Sequence, residues 1–145
     1  TTAVVWTPED EDFDLDEFKR THIGFLSHYG INSLHSARAY TNQQADTYMT
    51  GNSAMILGKK FIVAGKGHWK NATNGHVTTT DYVIVSKTFH GKIADLRKLI
   101  SYKTLVLSGA IYNDNLNALI QECSSHSWQF KSLAASGAIT MYIDN

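Results

Sequence analysis

The strongest constraint on the fold lies between Thr78 and Ile143, where short apolar runs alternate with helical spacings. Asp81-Tyr-Val-Ile-Val-Ser86 and Thr104-Leu-Val-Leu-Ser108 are runs rich in branched residues, each bounded by polar residues. Such runs read as buried strands. Between them, Lys92 to Ile100 places Ile93, Leu96, Leu99 and Ile100 at helical intervals. Asn113 to Ser124 does the same with Leu116, Leu119, Ile120 and Cys123. Trp128 to Leu133 and Ala138 to Ile143 read as a closing hairpin. Strands separated by helices predict an α/β protein, a mixed β-sheet layered with helices.

The upstream half is less regular. Thr2 to Trp6 is a strand candidate, and Thr7-Pro8 turns the chain. Asp14, followed three residues later by Glu17, has the form of a capping box. The helix it opens is expected to run to about Tyr29, with Leu15, Phe18, His22, Phe25, Leu26 and Tyr29 as an inner stripe and Gly30 as its stop. Ile31 to Tyr40 fits a strand or a helix. Tyr48 to Leu57 reads as extended chain around a turn, and Gly58-Lys59 as a two-residue turn into the strand Lys60 to Ala64. Asn71 to Thr80 is polar and reads as a loop.

A chain of 145 residues favours one domain, residues 1–145. Its first residues, already strand-like and without a signal peptide, lead us to expect a domain cut from a longer protein. Formal charge balances at zero, so no global field selects a partner. The distribution is uneven: residues 9–17 hold seven of the thirteen acidic groups, and from Thr21 onward eleven Lys/Arg face six Asp/Glu. Acids before a helix most often serve as caps and dipole partners. Cys123 is alone, which excludes an internal disulfide and suits a small core residue. No run approaches the roughly 18 apolar residues of a membrane crossing.

Chemistry-bearing residues are sparse. The seven histidines lack the close, regular spacing of a zinc site. Gly65-Lys66-Gly67-His68 follows a strand but has neither phosphate-loop spacing. No serine stands in a nucleophile elbow. Lys59, Lys60, Lys66 and Lys70 cluster in sequence with Trp69 among them. Cations beside an aromatic ring suit single-stranded nucleic acid, through phosphates and base stacking. The plainer reading, lysines guarding a hairpin edge, carries more weight.

The order of the C-terminal pieces, ending in Ser136-Gly-Ala-Ile-Thr-Met141, resembles the last half of the metallo-β-lactamase-like domain at the C-terminus of bacterial ComEC proteins. Ala54-Met-Ile-Leu-Gly-Lys-Lys-Phe-Ile-Val-Ala-Gly65 resembles the hairpin of that fold, and the start is similar to divergent ComEC tails of the Bacteroidetes type. ComEC proteins are inner-membrane channels for single-stranded DNA uptake in natural competence. The resemblance implies a degenerate metallo-β-lactamase-like fold and a soluble domain of an inner-membrane protein, on the extracytoplasmic side. It implies as partners single-stranded DNA, the rest of the parent channel and other competence proteins, with no small-molecule substrate.

The hydrolases of that fold bind metal, and this chain departs from them. It has no histidine-rich loop, and Lys66 stands where an aspartate is expected. His90-Gly91 echoes the family's turn without its leading histidine. A lysine there would repel the cation that metal-assisted hydrolysis needs. The resemblance therefore implies no catalytic residue and no cofactor, with Lys59, Lys60, Lys66, Trp69, Lys70 and Lys87 as nucleic-acid contacts. The alternatives are a metal-dependent phosphodiesterase using Asp81 and His90, with His68 and His76, and an unrelated α/β interaction domain.

Overall fold

A computed structural model describes residues 2–7, 12–37, 48–50, 52–67 and 77–139. The first unit is β1 (Thr2–Val5), α1 (Leu15–Thr21), α2 (Ile23–His28) and β2 (Ser33–Ser36). β1 and β2 pair in parallel, Thr2 opposite Ser33 and Val5 opposite Ser36. Parallel partners need a crossover, and the helices supply it.

Asp14 caps α1 as the sequence predicts: its Oδ1 accepts from the amides of Asp16 and Glu17 at 3.0 and 3.1 Å. The single helix expected to Tyr29 is instead two, broken at His22. Thr21 Oγ1 donates to the Glu17 carbonyl at 2.9 Å, a back-bond that bends helices. The His22 ring donates from Nδ1 to the Phe18 carbonyl at 3.0 Å. Gly30, at φ +64°, stops the second helix, and Ile31 N–H closes back on Leu26 O at 2.8 Å. The expected inner stripe is not one: Leu26 is its single buried member, and Phe25 and Tyr29 are each 58% exposed.

The second unit is a six-stranded mixed sheet in the order β3 (Tyr48–Thr50), β4 (Ser53–Ile56), β5 (Lys59–Ala64), β6 (Thr78–Val85), β7 (Ile100–Leu107), β8 (Lys131–Ser132). β3 to β5 form an antiparallel meander. The β4–β5 turn is Leu57-Gly58, one residue earlier than expected, because both residues have positive φ and Ile56 pairs with Lys59. From β5 onward every pairing is parallel. α3 (Ile93–Leu99) connects β6 to β7, and α4 (Asn113–Ser125) connects β7 to β8.

The expected C-terminal hairpin does not open at Trp128. β8 has only two residues, runs parallel to β7 after the α4 crossover, and leads into α5 (Leu133–Ser136). Ala138 and Ile139 are in neither helix nor strand, and residues 140–143 lie outside the described residues.

Strand alternation divides the sheet into two faces. Ala64, Val83, Val85, Leu105 and Leu107 point to one side and are buried with Ile93 and Leu96 of α3 and Leu116, Leu119 and Cys123 of α4. Fully burying a Leu, Ile or Val side chain is worth about 1.5–3 kcal/mol, so this cluster is the main source of stability. The parallel strands follow one another across the sheet in chain order without reversal. Right-handed crossovers that always advance the same way put their helices on the same face. That is why α3 and α4 share one layer, and why neither covers the face of Phe61, Tyr82, Ile84, Thr104 and Val106.

Candidate nucleic-acid interface

The lysines that cluster in sequence are divided by the strand they flank. Lys59 and Lys60 begin β5, and Lys66 follows its end. At about 3.3 Å per residue, the two groups stand roughly 20 Å apart. Trp69, Lys70, His68 and His76 lie outside the described residues.

At the carboxyl end of the parallel strands, Lys66 and Lys87 come from the loops that follow the neighbouring strands β5 and β6. The ladder is continuous into these loops, Ser86 N–H donating to Ala64 O and Ser108 N–H to Val85 O, each at 3.0 Å. Lys87 occupies the tip of a tight turn closed by Phe89 N–H on Ser86 O at 3.2 Å. Phe89 is 7% exposed and anchors that turn in the core, which leaves Lys87 and His90 at the surface. Ser86 Oγ is paired with Thr88 Oγ1 at 2.9 Å, so its hydroxyl shapes the turn.

At the amino end, Lys60 is held by two side chains of β6 before the β5–β6 ladder starts at Phe61 and Tyr82. Its N–H donates to Asp81 Oδ2 at 2.9 Å, and its carbonyl accepts from the buried Thr80 Oγ1 at 3.0 Å. Asp81 Oδ1 pairs with Lys103 Nζ at 3.2 Å. The Lys60 amide, and after it the Lys103 ammonium, hold the Asp81 carboxyl below its ordinary pKa. Both oxygens of Asp81 are therefore engaged. His90 lies beyond the opposite end of β6, so the structure does not bring Asp81 and His90 together. Among the described residues no three His, Cys, Asp or Glu side chains gather.

Several contacts had no signal in the sequence. Lys103 finds Asp81 across a strand pair whose register only the fold sets. Phe61 and Tyr82 stack at 4.8 Å between ring centroids, with 10° between planes. Arg97 lies over Trp128 at 4.5 Å and donates to Tyr102 Oη at 3.1 Å, while His126 stacks on Trp128 at 4.2 Å. Glu122 of α4 takes the amides of Ile93 and Ala94 at 2.7 and 3.0 Å. The lysines at the ends of β5, β6 and β7 thus form two groups, Lys66 with Lys87 at one end and Lys59, Lys60 and Lys103 at the other. Either group can neutralise phosphate.

The family model described as the ComEC C-terminal domain matches residues 5–143. No curated protein and no solved structure matches the chain.

Proposed function

This chain belongs to the ComEC C-terminal domain family, and from that premise we propose that it is a non-catalytic piece of a longer membrane protein that contacts single-stranded DNA during uptake. The family points to a role in competence DNA uptake. No helix among the described residues is long and apolar enough to cross a membrane. The observation that carries the finer reading is the pairing of Lys66 and Lys87 on adjacent loops at the carboxyl end of the parallel strands. Two ammonium groups on neighbouring loops suit successive phosphates of one strand.

The non-catalytic part rests on Asp81. A carboxylate that already accepts a backbone amide and a lysine ammonium is a poor ligand for a metal ion, since the Lys103 charge beside it repels a cation. This reading leaves the chain without the cation that metal-assisted phosphodiester hydrolysis uses.

The test is fluorescence anisotropy of a labelled oligothymidylate across a salt series. We expect binding that weakens as salt rises, with log K falling by about 0.7 per phosphate neutralised on a single strand. Lys66→Ala with Lys87→Ala is expected to flatten that slope by about 1.4, the share of two phosphates. Absence of binding at low salt would sink the DNA reading. Magnesium-, manganese- or zinc-dependent cleavage of the same strand would sink the non-catalytic one.

A further inference from the structure

One face of the six-stranded sheet has no task in the reading above. Parallel strands are normally covered on both faces. Here both crossover helices, α3 and α4, lie on one side, because the parallel strands never reverse their order. The same regularity removes the reversal point where doubly wound sheets bind ligands. The face that α3 and α4 leave carries a groove of about 310 Å³, lined by Phe61, Tyr82, Ile84, Thr104, Val106 and Lys131 and bordered by Leu133 of α5 and by Ile139. That volume is near the lower limit for small-molecule sites, about 300 Å³.

Its chemistry is specific. Phe61 and Tyr82 are register partners on adjacent strands, and their rings lie nearly parallel at 4.8 Å. Phe61 backs the Tyr82 ring and limits its rotation, so the groove has a flat, preformed aromatic wall. Lys131 lines the groove. Lys59 alternates onto the same face as Phe61. The sole carboxylate in strands β5 to β8 is Asp81, and Lys103 already neutralises it. An apolar slot of this size is too small for the face of an amphipathic helix. Two lysines on this face, Lys59 and Lys131, with no unpaired carboxylate in these strands, favour an anionic chain that carries flat groups. Sheet faces that combine exposed aromatics with lysines hold single strands in this way.

We propose that this groove stacks a nucleobase of a single-stranded nucleic acid against Tyr82, with Lys59 and Lys131 meeting the flanking phosphates. The proposal rests on the DNA reading above and adds a base-contacting surface distinct from the Lys66–Lys87 edge.

The experiment compares anisotropy of a labelled oligothymidylate with that of an abasic strand of equal length, using the whole chain. In the unmodified protein the abasic strand is expected to bind roughly 5- to 100-fold more weakly, the loss for about one unstacked base. Tyr82→Leu keeps an apolar side chain in the groove. It should bring the thymidylate strand down to the abasic level and leave abasic binding unchanged, with the fold checked by circular dichroism. Lys131→Glu should weaken both strands alike. Equal affinity for the two strands in the unmodified protein overturns the groove and leaves the DNA reading standing, and that comparison holds even if Tyr82→Leu does not fold. Binding of neither strand overturns both. Self-association abolished by Tyr82→Leu, without base dependence, would give the groove to a second copy and overturn the proposal.

Discussion

At Asp81 one carboxylate accepts the Lys60 amide at 2.9 Å and the Lys103 ammonium at 3.2 Å. The amide matters more, because Lys103 is 76% exposed and an exposed ammonium is screened by water. Both contacts favour the charged form, so the folded-state pKa lies below the ordinary 3.8. A lowered folded pKa stabilises above the unfolded value and is lost as pH falls through the folded one. Asp81→Asn is therefore expected to melt below the unmodified protein at neutral pH. The gap should close as acid takes the pH beneath 3.8 and on through the folded value, and melting curves across that range check it. A gap that stays constant in acid would show that the charge is not what stabilises.

At the scale of the element, α3 depends on a neighbour for its start. Lys92 precedes it and has no side-chain oxygen to offer the first amides. Glu122, from α4, fills that place with both carboxylate oxygens, at 2.7 and 3.0 Å. A carboxylate at a helix N-terminus also meets the favourable end of the helix dipole. Glu122→Ala should lower the free energy of unfolding by about 1–3 kcal/mol, the range for partly buried donors left without their acceptor. Its exposed neighbour offers the control: Gln121→Ala should change stability by no more than about 0.5 kcal/mol. Urea unfolding measures both. β8 teaches a related lesson. Trp128 to Leu133 looks strand-like in sequence, but Trp128 is used beneath Arg97 and beside His126, and two residues are left to pair with β7.

Across the whole molecule, stability is unevenly spread. The strands β6 and β7 lie between paired neighbours and over the buried cluster of α3 and α4. The unit of β1, α1, α2 and β2 has a two-stranded sheet, and its two helices bury Leu26 alone. Two-stranded sheets are marginal by themselves. Amides of β6 and β7 should therefore exchange through openings close to global unfolding, and those of α1 and α2 at distinctly lower free energy. Hydrogen exchange read by mass spectrometry checks this. Equal protection across both units would mean that the first unit draws on packing as strong as that of the main core.

The sequence alone determined what depends on near neighbours. Apolar periodicity marked α3, α4 and the cores of β6 and β7, because burial on one face imposes a spacing. Asp14 and Gly30 marked the two ends of the first helical region, because capping is a matter of a few residues. The expectation of a layered α/β protein and the likeness to ComEC proteins followed from the same local signals. Pairings between distant residues were decided only by the tertiary structure. The register of β5 on β6 sets Phe61 beside Tyr82 and Lys60 beside Asp81, and no local preference specifies a parallel register across an intervening segment. The separation of Lys60 from Lys66, close in sequence and roughly 20 Å apart in space, has the same origin: an extended strand carries its two ends to opposite edges of a sheet.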